Sequence, residues 1–216
     1  MGGMGPPQRT RAERTELGYH GLMRLPDGKV QKRRKSCEIP GHAHELTFCC
    51  QRRYPFLSKD RTREWFVDAL DQARHKHDLE LWAYIIMPEH AHVLFLPRRS
   101  PYSIARILKA IKQPVAQKAV NFLRRTAPQW LDRLTVTWPT GRVEHRFWEQ
   151  GGGYDRNILD ARTAWLSVKY IHNNPVRRGL VATAEEWLWS SAGWYAGERD
   201  VKLPMDACPP DPPLTR

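Results

Sequence analysis

The sequence is short of acid, of long apolar runs and of paired cysteines, and each shortage excludes something. Its 216 residues carry 23 Asp+Glu against 35 Lys+Arg, a formal net charge of +12. Such an excess points to an anionic partner, for which nucleic acid suits better than a lipid surface, or to no more than a solubilising basic tail. The longest apolar run, Leu81 to Met87, falls far below the about 20 residues that cross a hydrocarbon core, so no membrane span is expected. The four cysteines (Cys37, Cys49, Cys50 and Cys208) form no Cys-x-x-Cys pair. Adjacent Cys49 and Cys50 would point to opposite faces of a strand, which supports neither a zinc ribbon nor a disulfide framework. The charged N-terminal stretch MGGMGPPQRTRAERTELGYH has no apolar segment behind it. It is not read as a secretory signal, and a cytoplasmic, reducing setting is expected.

What is present suffices for a core. Hydrophobic residues make up 41% of the chain, with 9 Trp, 7 Tyr and 6 Phe, which excludes wholesale disorder and fits one domain with appendages. Residues 1–41 contain a KRRK run and no apolar periodicity, and read as a flexible basic arm ending at Pro40-Gly41. Nine Lys/Arg against three Asp/Glu in residues 1–35 supply half of the net charge. Residues 198–216 form a Pro-rich tail that cannot hold a helix. Between these flanks lies a domain over 42–197.

Within that domain, His44 to Gln51 reads as a strand and Asp60 to His77 as an amphipathic helix with Asp60 as N-cap. Leu79 to Met87 and Ala91 to Leu96 read as a hairpin about Pro88-Glu89. Tyr102 to Arg125 is helical in pattern, with a break or kink expected at Pro114. Val143 to Trp148 reads as the last strand, Gly151-Gly152-Gly153 as a turn or mobile loop, and Asp160 to Asn174 as a helix capped by Asp160 and stopped by Pro175. The order β-α-β-β-α-β-α predicts an α+β fold, one antiparallel sheet with helices on one face.

Two motifs could carry chemistry. In MPEHAHVLFLP, His90 and His92 stand two apart at the start of a strand, so both imidazoles project from one face and could chelate a divalent cation. A His-x-His pair is a weak motif, and chance or structural histidines are an equal reading. The second pair, His42-Ala43-His44, sits at a strand entrance where fraying and solvent are expected. In VKYIHNNPV, Tyr170 and Asn174 are i, i+4 on a helix, so a phenol and an amide oxygen share a face. Beside a metal, Asn174 could be a hard oxygen ligand and Tyr170 a nucleophile. Without one, Tyr170 is a core or edge residue and Asn174 a cap. His172, two residues on, points across the helix and is given no catalytic role.

Taken in order, MPEHAH, RFWE (Arg146 to Glu149), YIHNNPVRRGLV and WLWSSAGWY resemble the IS200-like single-tyrosine transposases, and within them the REP-associated tyrosine transposases. The resemblance runs from about Glu45 to Tyr195. It implies a ferredoxin-like or RRM-like HUH nuclease fold with His90 and His92 as the metal-binding pair, Tyr170 as catalytic nucleophile and Asn174 as a third metal-side residue. It also implies Mg²⁺ or Mn²⁺, cleavage of single-stranded DNA near a hairpin through a 5′-phosphotyrosine link, and a homodimer as a further expectation. Glu89 stands where many relatives carry Asn. Phosphates would then fall to Arg52, Arg53, Lys112, Arg146, Arg177 and Arg178, and stacking of unpaired bases to Trp148, Tyr154 or Trp194, with a core position the commoner reading for any one Trp and a solvated surface an equal one for any one Arg. WLWSS reads as a structural corner. The rival readings are a catalytically inactive or domesticated binder of hairpin nucleic acid, and a two-histidine phosphoesterase, which would need a second His-x-Thr/Ser element that His42-Ala43-His44 lacks.

Overall fold

A computed structural model describes residues 38–206 and 209–210, together with the backbone of 22–24 and 30–32. The chain divides into two units, 1–36 and 37–216. In the first, β1 (Leu22–Arg24) and β2 (Val30–Lys32) pair antiparallel, with Leu22 opposite Lys32. The rest of residues 1–37, which make up most of the expected basic arm, lies outside the described residues, as do Cys208 and the end of the Pro-rich tail.

The second unit is built on a four-stranded antiparallel sheet of β3 (Ala43–Cys49), β4 (Leu79–Ile86), β5 (His90–Pro97) and β8 (Tyr154–Ile158), in the order β4-β5-β3-β8. The hairpin between β4 and β5 turns at Pro88-Glu89, closed by Met87 N donating to His90 O at 2.8 Å. Helices α1 (Asp60–His77) and α2 (Ile104–Thr126) cover one face. Two further strands, β6 (Thr135–Thr137) and β7 (Val143–His145), form a separate ribbon preceded by a short helix α3 (Leu131–Leu134). Helix α4 (Ala161–His172) lies against the opposite face, followed by the short turns α5 (Asn174–Arg177) and α6 (Ala192–Tyr195). Among the described residues no helix is long and apolar enough to cross a membrane.

Strand alternation sorts the side chains. Leu46 and Phe48 of β3, Tyr84 and Ile86 of β4, and Val93 and Phe95 of β5 meet Phe66, Leu70, Ile107, Ile111 and Val115 of α1 and α2, all buried. Full burial of each such side chain is worth about 1.5–3 kcal/mol. The other face sends Ile85, Leu94 and Ile158 toward Ala164, Val168 and Ile171 of α4, a helical stripe at i, i+4 and i+7. A register shift between Leu81 and Ala83 is a bulge that turns both Trp82 and Ala83 to this side. Asp160 caps α4, accepting from Thr163 N at 2.8 Å.

Several elements differ from the sequence-based expectation. The fourth strand is β8, not Val143 to Trp148. Its sequence YDRNI has little apolar alternation because Asp155 and Arg156 answer buried polar partners on β3: His44 Nδ1 lies 3.0 Å from Asp155 Oδ1, and Arg156 Nη1 3.8 Å from Glu45 Oε2. Pro114 does not interrupt α2, since Ile107, Ile111, Val115 and Ala119 pack on either side of it and carry the helix through. Asp60 is the first residue of α1 rather than its cap. The cap is Lys59, and Asp60 pairs with Arg63 at 3.1 Å. Pro175 opens α5 after α4 has ended at His172. His44 is fully buried rather than frayed, with Nε2 2.9 Å from Tyr102 Oη.

Packing also reaches beyond 42–197. Glu38 Oε1 accepts from Ile104 N at 2.7 Å and Ile39 O from Tyr102 Oη at 2.8 Å. Leu203 and Met205 are buried in the α1 side of the core, and Pro204 O accepts from Arg74 Nη1. The WLWSS corner lies along the free edge of β4: Ile86 N donates to Trp189 O at 2.9 Å, and Tyr84 exchanges backbone and hydroxyl bonds with Ser191. This protects an edge that would otherwise expose unpaired backbone groups.

Candidate active site

His90 and His92 start β5 on the face that carries α4, with ring centroids 5.0 Å apart. Register sets Cys49 opposite His90 and Thr47 opposite His92. Each Nδ1 has a neighbour: His92 Nδ1 lies 2.8 Å from Thr47 Oγ1, and His90 Nδ1 lies 3.0 Å from Glu89 Oε1. A carboxylate only accepts, so His90 carries its proton on Nδ1. The Thr47 hydroxyl can accept from or donate to His92 Nδ1, and when it accepts His92 has the same tautomer as His90. Both rings then keep the Nε2 lone pair, the arrangement by which an outer partner orients a metal-binding imidazole.

Burial keeps the pair neutral. It pushes His92 down to about 3, with the neighbouring His90 adding to the effect. It lowers His90 as well, against the opposing pull of Glu89. Glu89 is half-buried, which raises its pKa, but the hydrogen bond from Arg178 and the proximity of His90 bring it below the usual carboxylate range. Since His90 is neutral near pH 7, Arg178 is the partner that keeps Glu89 ionised.

Helix α4 brings Tyr170 to the histidines, its ring edge-on to His92 with centroids 5.8 Å apart and planes at 82°. The Arg177 guanidinium carbon lies 5.1 Å from the Tyr170 ring centroid. Asn174 takes the capping role, with Nδ2 donating to Tyr170 O at 2.9 Å and Ile171 O at 3.3 Å. Its Oδ1 is the end of the amide left for a cation. Among the described residues no set of three His, Cys, Asp or Glu side chains is gathered for a metal, so any ion held by the two imidazoles completes its shell with other oxygens. His172 turns inward, its Nε2 2.8 Å from Ser191 Oγ, and burial lowers it to about 4.

The cations divide into two groups. Arg53 lies close enough to act electrostatically on His90 and Cys49, and with Arg177 and Arg178 it forms a positive rim around the pair. Arg52 and Arg53 both have left-handed backbone (φ 51° and 53°), held by Arg52 N donating to Glu149 Oε1 and Arg53 N to Cys50 O. Non-glycine residues pay for that conformation, and such strain gathers at functional loops. By contrast Lys112 ties Glu149 O and Gly151 O, and Arg146 is engaged by Glu144 and lies over Trp138. Trp148 offers no stacking platform: it is buried against Phe48, Phe66 and Phe147, with Nε1 donating to Lys112 O.

Sequence reasoning missed Thr47, whose register with His92 only the pairing of β3 and β5 reveals. It also missed Glu45 and Ser167, linked at 2.9 Å beneath α4. The polar alternation Glu45, Thr47, Cys49 was the available signal.

An antiparallel sheet bearing paired histidines opposite a tyrosine helix is the HUH nuclease fold. The chain belongs to the IS200-like transposase family, which matches residues 40–174. It is similar to a Haemophilus influenzae protein described as a REP-associated tyrosine transposase, 26% identical over 157 residues that cover 69% of this chain and 80% of the relative. In fold it resembles the REP-associated tyrosine transposase solved bound to a REP hairpin, with a TM-score of 0.60 at 16% identity over 78% of this chain and 87% of that one.

Proposed function

We propose that the protein is a metal-dependent single-stranded DNA endonuclease and strand transferase that acts at hairpin DNA through Tyr170. The observation that carries this reading is the edge-on approach of the Tyr170 ring to His92 on one face of the sheet. His90 and His92, with Asn174, would hold Mg²⁺ or Mn²⁺, which when bound neutralises charge on a phosphate oxygen. Two neutral imidazoles with oriented Nε2 lone pairs suit that role. Tyr170 Oη forms a bond to phosphorus as the bond to the 3′-oxygen breaks. The phenol proton is passed on in net to that oxygen, leaving a 5′-phosphotyrosine and a free 3′-OH. One phosphodiester replaces another, so rejoining is the same step reversed and needs no external energy source.

Arg53, Arg177 and Arg178 flank the reacting phosphate in this reading, while the basic arm adds sequence-independent attraction to the strand. In this reading Tyr170 acts beside His92 of its own chain, and a homodimer stays a further expectation. A cytoplasmic setting belongs to the same proposal. The test is a denaturing gel of end-labelled hairpin-bearing single strands with Mg²⁺ or Mn²⁺, comparing wild type with Tyr170→Phe and His92→Ala. A metal-dependent covalent adduct absent from both variants is expected. Tight binding without an adduct across a wide hairpin panel would replace this reading by that of an inactive binder.

A further inference from the structure

A buried carboxylate lies close to this site without entering its chemistry. Glu45 points from β3 to the α4 side of the sheet, is only 5% exposed, and accepts from Ser167 Oγ at 2.9 Å. Ser167 is likewise buried and lies three residues before Tyr170 on α4. Arg156, directly across from Glu45 on β8, reaches to within 3.8 Å of the same carboxylate oxygen. Burial raises the Glu45 pKa, and the Ser167 hydrogen bond and Arg156 offset part of that. Burying a carboxylate is costly, and apolar packing at this point would be more stable. A directional bond is what the carboxylate adds.

The direction matters because of what else β3 carries. Two residues along, on the same face, Thr47 holds His92 by Nδ1. Positions i and i+2 of a strand are about 7 Å apart, and Ser167 and Tyr170 are separated by about 4.5 Å of helix rise. β3 thus grips the tyrosine helix at one point and the histidine at the next. The apolar stripe of Ala164, Val168 and Ile171 holds α4 to the sheet but resists sliding weakly. The Glu45–Ser167 bond sets where along the sheet the helix stops.

We propose that Glu45 and Ser167 are a positioning pair that fixes the register of Tyr170 against His92, an inference that rests on the nuclease reading above. The test uses full-length Ser167→Ala, Glu45→Ala and Glu45→Gln, with Ile111→Val as a core-trimmed control on the other face. Three quantities are read: the single-turnover adduct rate at saturating DNA, the Kd for the hairpin strand, and hydrogen exchange of the α4 amides. Ser167→Ala and Glu45→Ala are expected to slow adduct formation by about tenfold or more, since small misplacements are costly in a positioned reaction. Kd should stay within about twofold, the pattern of a lost transition-state interaction rather than lost binding. Exchange of α4 should rise, and Glu45→Gln, which still accepts from Ser167, should restore most of the rate.

A Ser167→Ala rate equal to that of Ile111→Val at matched Tm would overturn the proposal, as would Glu45→Gln behaving like Glu45→Ala. If the wild type forms no adduct, the nuclease reading fails on its own. The exchange measurement then decides the anchor alone, and unchanged α4 protection overturns it.

Discussion

The two faces of the sheet are built on different principles. Toward α1 and α2 the strands present Leu46, Phe48, Tyr84, Val93 and Phe95 to an apolar layer, with the Asp155–His44–Tyr102 chain as a polar inclusion. Toward α4 the apolar contacts Ile85, Leu94, Val168 and Ile171 share the surface with Glu45, Thr47, His90, His92 and Ser167, each in a hydrogen bond. The first face derives its stability from non-directional burial, which tolerates small shifts. The second exchanges some burial for directional bonds, which do not tolerate them. A reactive centre needs the second kind of order and a fold needs the first, and here one sheet separates the two.

That division can be broken by substitution. Tyr170→Phe should abolish the covalent adduct, a loss on the order of 10³-fold or more for a nucleophile, while calorimetry shows little change in Tm. On the other face Phe48→Ala should do the reverse. Phe48 is buried against Phe66 and Trp148, so urea unfolding should show a loss of about 3–5 kcal/mol. The adduct formed by the remaining folded molecules should be unaffected.

Acid should loosen the α4 face selectively. His92 is lowered to about 3 and His172 to about 4 by burial, whereas in the unfolded chain both take up protons near pH 6.5. Below that pH the unfolded state binds more protons than the native state, so stability falls as pH drops from about 6.5 toward 4. The combined loss by pH 4 is roughly 3 kcal/mol, discounted for relaxation of the sites. Hydrogen exchange across this window in metal-free protein should show α4 opening before α1. If α1 opened first, the separation of the faces would be wrong.

Smaller changes sharpen the contrast. Thr47→Val keeps shape but removes the oxygen that orients His92, and calorimetric titration with Mn²⁺ should show affinity reduced about 10- to 100-fold. Asp160→Ala removes the cap of α4 and should cost about 1 kcal/mol in thermal unfolding, the least of these effects.

The apolar face was the legible one. Strand β3, helix α1, the β4–β5 hairpin and the Asp160-capped α4 all announce themselves by periodicity and turn chemistry, whereas His90, His92 and Tyr170 are marked by the resemblance to the IS200-like transposases, since their spacing alone fits structural roles as well or better. Strand β8 was hidden because YDRNI devotes its residues to polar partners 111 positions away, as in the His44–Asp155 pair, rather than to apolar alternation. Pro114 misled because tertiary packing outweighed a local rule. Trp148 follows the commoner reading of any single Trp, a place in the core, and the stacking role offered for it gives way once its neighbours are known. Thr47, Glu45 and Ser167 could not be ranked before strand register was known, since their roles exist only between elements.

The Glu45–Ser167 bond joins residues 122 apart in the chain, and that separation governs when the centre exists during synthesis. A chain growing from its N-terminus at the usual rate of about 5–20 residues per second completes the histidine strand well before the tyrosine helix. For those seconds it holds both imidazoles and no nucleophile. Even after α4 emerges, the β4 edge waits for Ser190 and Ser191, near the far end of the domain. Long-range closures of this kind form late, so on the proposed nuclease reading a chain that has not yet folded through Ser191 carries no competent centre and cannot break a strand.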